Sequence, residues 1–123
     1  MVSAVQDAVR AYIRAGGETD AAARAQLLEA CFAEDGRIVA RRREIRGRAA
    51  LADELTRLHA DPEFVRFRLM SAVDAEGTTF RFRSGVERRD GTLLEFFDAG
   101  QVDSTGRIAL VFTFAGPLAV TEE

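Results

Sequence analysis

Apolar residues recur at helical spacing through the first half of the chain and at every second position through the second half; the change falls at Asp61-Pro62. Ser3 and Gln6 stand at the spacing of a capping box, in which a hydroxyl and an amide satisfy two free N–H groups at a helix start. Val5, Ala8, Val9, Tyr12 and Ile13 follow as one apolar stripe, and Gly16-Gly17 is expected to end the helix in the left-handed conformation. Thr19 or Asp20 can cap a second helix, with Ala23, Leu27, Leu28, Cys31 and Phe32 on its buried side and Gly36 just past its end. Short strands are expected over Arg37 to Arg41 and Glu44 to Arg46. A third helix then runs from about Arg48 to Ala60, with Leu51, Leu55 and Leu58 on one side, and stops at Asp61-Pro62 because proline disfavours helical geometry in the residue before it.

From Glu63 the period is two. Val65, Phe67, Leu69 and Val73 alternate with Arg66, Arg68 and Met70; Phe80 and Phe82 alternate with Arg81 and Arg83. Turns at Glu76-Gly77, Asp90-Gly91 and Ser104-Thr105-Gly106 separate four long strands, the last carrying Ile108, Leu110, Phe112 and Phe114 on one face and closing at Gly116-Pro117. Tight turns make neighbours antiparallel, and long strands twist and curl. The expected fold is α+β: three N-terminal helices packed against a cone-shaped, strongly curved, mainly antiparallel sheet, as one domain over residues 1–123. Gly85 and Gly100 fall inside strands, where glycine marks a bulge or bend.

Composition narrows the class. With 47 % hydrophobic and 30 % charged residues the chain can bury a core, and at this length it buries roughly two-thirds of its unfolded surface. All 17 basic residues are Arg, with no Lys, Asn or Trp, a bias that fits GC-rich bacterial coding. The net charge of −3 argues against nucleic acid, which usually selects a basic excess. No apolar run approaches the roughly 20 residues of a membrane helix, and Met1 to Asp7 has no signal-peptide pattern, so a cytoplasmic protein is the default expectation. One cysteine, Cys31, and one histidine, His59, offer no zinc set, and neither metal nor cofactor is expected.

Four segments, in order, carry a family resemblance: Asp7-Ala8-Val9-Arg10-Ala11-Tyr12-Ile13; Leu28 to Gly36 with its Phe32-Ala33-Glu34-Asp35-Gly36 ending; Gly47-Arg48-Ala49-Ala50-Leu51; and Phe97 to Ile108 with its Asp-x-x-Gly-Arg-Ile turn. Together they resemble the superfamily of ketosteroid isomerase and the SnoaL-like polyketide cyclases, which has the nuclear-transport-factor-2-like fold. The resemblance implies an apolar pocket with Tyr12 as hydrogen-bond donor to an oxyanion and Asp98 as a second donor, a carboxyl kept protonated by its surroundings. Phe67, Phe80, Phe82, Phe96 and Phe112 are the expected ligand-contacting aromatics. The position of the isomerase base is Ala40, which cannot move a proton. His59, before Asp61-Pro62, reads as a surface residue near the negative end of a helix dipole, and with no Asn the family's epoxide-hydrolase set is incomplete.

Alternatives stay open from the residues alone. A tyrosine on an apolar helix stripe also serves as core with its hydroxyl at the rim. Asp98 would face solvent, or pair with an arginine, if a bulge near Gly100 shifted its strand. Three functions follow: a pocket for a small apolar molecule; an enzyme of isomerase, cyclase or hydrolase type acting on an apolar carbonyl or polyketide-like substrate; or a dimeric interaction domain. A homodimer through the outer sheet face is expected, with Arg66, Arg68, Arg81 and Arg83 suited to Glu87 or Glu95 at such an interface.

Overall fold

Both halves of the N-terminal capping box form: Gln6 N–H donates to Ser3 Oγ at 3.1 Å and Ser3 N–H to Gln6 Oε1 at 3.1 Å. They open α1 (Ala4–Gly17), the first element of a computed structural model that describes residues 3–116 and 120–121. Pro117, expected to close the last strand, lies outside the described residues. Gly16 and Gly17 do not take the left-handed conformation. Gly16 instead serves close packing, since a Cβ there would sit 2.7 Å from Cδ1 of Phe67.

Asp20, not Thr19, caps α2 (Ala21–Cys31), accepting from Ala23 N–H at 3.2 Å. This helix is shorter than its sequence pattern suggests. Phe32 is already extended (φ −123°, ψ 130°) and begins β1 (Phe32–Ala40), and its ring covers Gly36, where a Cβ would lie 2.6 Å away. Arginines satisfy carbonyls at this helix end: Arg107 Nε donates to Glu29 O at 2.9 Å and Arg48 Nη1 to Phe32 O at 3.0 Å. Arg24 is 3 % exposed, and it ties the helices together by donating to Glu18 O (2.7 Å) and Thr56 Oγ1 (3.1 Å).

After β2 (Arg43–Arg46), α3 occupies Arg48–Ala60, as the sequence indicates. The remaining strands are β3 (Phe64–Leu69), a short β4 (Asp74–Glu76), β5 (Thr79–Arg88), β6 (Leu93–Val102) and β7 (Ile108–Ala115). Spatial order is β2-β1-β7-β6-β5-β3, with β4 beside β5; every pair is antiparallel except β1 with β7. The sheet stays open, and its inner face packs on the three helices through Val9, Leu28, Phe32, Ile108 and Val111, all almost fully buried.

The register decides what faces inward. Phe80, Phe82, Ser84 and Val86 of β5 point to the helices, and Arg81, Arg83 and Glu87 point away. Gln101 of β6 pairs with Leu110 of β7 but Val102 pairs with Ile108, so Ala109 of β7 is an extra residue. The bulge flips the strand beyond it: Val111 and Thr113 turn inward, and Leu110, Phe112 and Phe114 turn outward. The expectation of one apolar face shared by Ile108, Leu110, Phe112 and Phe114 is therefore corrected. A second bulge, at Val65, leaves that residue exposed and keeps Phe67 inside.

The outward arginines find carboxylates within the same chain. Arg66 grips Glu87 with Nε (3.2 Å) and Nη2 (2.9 Å), and Arg68 Nη1 meets the same carboxylate at 2.6 Å. Arg83 pairs with Glu95 and Arg81 with Asp74.

Candidate functional site

Where α1, α3 and the inner sheet face diverge, they leave a cavity of about 240 Å³. Its wall is mainly apolar: Leu51, Leu55 and Leu58 from α3, Ile38 and Ile45 from the first hairpin, Phe67, Val86 and Phe96 from the curled strands. Five polar side chains interrupt that wall: Tyr12, Glu54, Ser84, Asp98 and Thr113.

Tyr12 comes from the flank of the stripe Val5, Ala8, Val9 and Ile13 that buries α1. Its ring stacks on Phe32 (centroids 6.1 Å apart, 18° between planes), which aims the phenol end at the cavity. Burial pushes its hydroxyl well above the ordinary range of a tyrosine, and the nearby Asp98 carboxyl adds to the effect. The phenol therefore keeps its proton and remains a donor.

Asp98 is 5 % exposed and lies on the inner face of β6 between Phe96 and Gly100. Ser84 Oγ donates to its Oδ2 at 2.8 Å, and Thr113 faces it across the β6–β7 ladder. Burial raises its pKa, and hydrogen bonding from Thr113 and Ser84 partly opposes the rise. Among the described residues no cation is paired with it, so the carboxyl is desolvated with none there to hold it ionised.

Of the residues singled out from sequence, Tyr12, Asp98, Phe67 and Phe96 share this cavity. Phe80 and Phe82 are placed in the core, 4 % and 2 % exposed and stacked on each other at 5.9 Å, not in the cavity wall. Phe112 lies on the outer sheet face, 41 % exposed, because of the Ala109 bulge. His59 is not a free surface residue. Its Nε2 sits 2.8 Å from Gly16 O, and its ring packs edge-on against Phe64.

Three of the polar wall residues went unread. Ser84 had a signal, as a hydroxyl in step with Phe80 and Phe82 on the inward face. Glu54 had one too, since it stands three and four residues from Leu51 and Leu58 on the α3 stripe. Thr113 had none, because its orientation depends on the bulge. Among the described residues, no group of three His, Cys, Asp or Glu side chains converges as a metal site requires.

No protein-family model matches the sequence, and no curated protein matches it. Solved structures do. A protein of Agrobacterium tumefaciens described as an isomerase of the SnoaL-like family superposes with a TM-score of 0.81 at 24 % identity, covering 94 % of this chain and 100 % of that one. A protein of Sinorhizobium meliloti described as a polyketide cyclase gives 0.68 at 19 % identity, with 87 % and 93 % covered. A nuclear-transport-factor-2-like protein of unknown function from Burkholderia pseudomallei gives 0.69 at 16 % identity, with 94 % and 92 % covered. At these identities the likeness is one of fold.

Proposed function

We propose, for a chain with the fold of the SnoaL-like and nuclear-transport-factor-2-like superfamily, that the cavity binds a small, mostly apolar molecule carrying an oxygen acceptor. The observation that carries this reading is the apolar wall with Tyr12 and Asp98 both turned into it. Size limits the occupant. A cavity of ~150 Å³ takes benzene, so 240 Å³ suits roughly ten non-hydrogen atoms, two small rings and not four. A carbonyl or phenolic oxygen is the favoured polar group, because the Tyr12 hydroxyl and a protonated Asp98 both donate. Cytoplasmic residence belongs to the same proposal: Cys31 is a buried free thiol with its pKa pushed up to about 11, the inert form of that side chain.

The test uses 1-indanone, a two-ring ketone of about ten non-hydrogen atoms, followed by calorimetry and by thermal unfolding. Binding only to the native state raises the melting temperature, and each of Tyr12→Phe and Asp98→Asn is expected to weaken affinity by about tenfold. An unchanged melting temperature at millimolar ketone overturns the reading.

A second reading is favoured by the raised Asp98 pKa: proton transfer on a bound carbonyl. Asp98 protonates the carbonyl oxygen as a water takes the α-proton, giving the enol; that water then returns a proton to Asp98. Exchange of the α-protons of 1-indanone for deuterium should be faster with the protein than without it, and Asp98→Asn should abolish the difference. Exchange at the buffer rate leaves binding alone.

The outer sheet face is proposed to meet a second copy of the chain. Phe97, Phe112 and Phe114 are exposed there at 40 %, 41 % and 57 %, beside the Arg83–Glu95 pair. A patch bearing both signs of charge at its edge suits a two-fold copy of itself, in which each arginine also meets the other chain's glutamate.

A further inference from the structure

The fifth polar group of the cavity wall differs from the other four. Glu54 stands on α3 in the cavity wall, its side chain 25 % exposed, whereas Asp98 is nearly sealed at 5 %. Arg43, from β2, holds Glu54 with both Nη atoms, and Arg57 Nη2 donates to Glu54 Oε2 at 2.9 Å. A carboxylate offers about four acceptor positions. Among the described residues Oε2 receives two donors and Oε1 only one, Arg43 Nη1 at 3.3 Å. One acceptor position on Oε1 is left over, on a carboxylate that forms part of the cavity wall.

The arginines also fix the charge and the rotamer. Hydrogen bonding from Arg43, with Arg57 assisting, holds the Glu54 carboxyl below the usual glutamate range, while burial works the other way on Asp98. The two carboxyls thus offer opposite faces to an occupant. Asp98, with Tyr12, donates; Glu54 accepts. An apolar molecule with an acceptor alone leaves one acceptor position of this carboxylate desolvated and unfilled, which costs affinity.

We infer that Glu54 is a specificity-determining residue, and that the occupant carries a hydroxyl or N–H at the end opposite its carbonyl, donated to Glu54 Oε1. This rests on the binding reading above and narrows its ligand class from apolar ketones to ketones with a distal donor. A distal carboxylate would be repelled, and a distal ether would have nothing to give.

Three matched probes test it: 1-indanone, 5-hydroxy-1-indanone and 5-methoxy-1-indanone, titrated by calorimetry at about pH 6, where a phenol is protonated. The hydroxyl compound is expected to bind the wild-type protein about tenfold more tightly than either other probe. In Glu54→Gln that advantage should shrink to about twofold, since the amide oxygen accepts without a full charge. Equal affinity of hydroxyl and methoxy probes for the wild-type protein overturns the inference and needs no variant to interpret. So does an advantage that persists in Glu54→Gln. If 1-indanone binds through Tyr12 and Asp98 while the hydroxyl adds nothing, only the role of Glu54 falls; if no probe binds, the binding reading falls with it.

Discussion

Asp98 is a carboxyl in a mainly apolar enclosure with only two hydroxyls, of Ser84 and Thr113, hydrogen-bonded to it, and that costs stability in its charged form. Its folded pKa lies above the unfolded value. Below the unfolded pKa both states are protonated and the group contributes nothing. As pH rises past it, the unfolded chain gives up the proton first, so the native state loses ground until the folded pKa is passed. Asp98→Asn keeps an acceptor for Ser84 Oγ and removes the titration. Urea midpoints measured from pH 3 to 8 should therefore show the variant gaining on the wild type with rising pH and ending more stable at neutrality. A difference that stays flat with pH would mean that Asp98 is ionised in the folded chain. Arg24 makes the complementary case. It is a buried cation held by a carbonyl and a hydroxyl, and Arg24→Met should unfold at lower urea by about 1–3 kcal/mol through the lost anchors of Glu18 and Thr56.

Among the elements, β6 and β7 show where sequence reading works and where it stops. The starts of α1 and α2 and the end of α3 were legible because they depend on neighbours in sequence, Ser3 with Gln6, Asp20 with Ala23, Asp61 before Pro62, whereas the end of α2 at Cys31 was not. The inward turn of Asp98 was legible only as one of two options, since a strand's faces follow from its register and register is a property of pairs. The bulge that decides the matter is at Ala109, in the partner strand, and it leaves Asp98 inside and sends Phe112 outside. Alternation in β5 marked Phe80 and Phe82 as inward, but could not separate core from cavity wall. Gly100, where the sequence indicates a bulge or bend, serves close contact: a Cβ there would lie 2.0 Å from Leu110 O and 2.7 Å from the Phe80 ring. A carbonyl in a ladder has little room to yield, so Gly100→Ala should cost about 3 kcal/mol by overpacking, read as a lowered urea midpoint at unchanged slope. A shift under about 0.5 kcal/mol would show that β7 moves freely on β6.

For the whole molecule, two faces of one sheet are given different tasks. The inner face supplies the core and the cavity; the outer carries Phe97, Phe112 and Phe114 beside paired charges. Sedimentation at micromolar concentration is expected to show a particle of twice the 13.5 kDa chain mass, and Phe114→Glu to halve it. Particles of 13.5 kDa alone would remove the dimer and leave the cavity proposal untouched. Among the described residues no helix is long and apolar enough to cross a membrane.

The parallel ladder of β1 with β7 joins residues 32–40 to residues 108–115 across the middle of the sheet. Everything between them in the chain must be in place, or wait, before that ladder can close. A ribosome releasing this chain thus produces its α-helices and first hairpin long before β1 has a neighbour on its inner side. Until the last strand emerges, Ile38 and the apolar faces of α1 and α2 stand beside an unpaired strand edge, the kind of surface that other chains seize. Folding of this protein is in that respect governed from its far end, and a slow step during synthesis just before β7 would be the most hazardous place for it to stall.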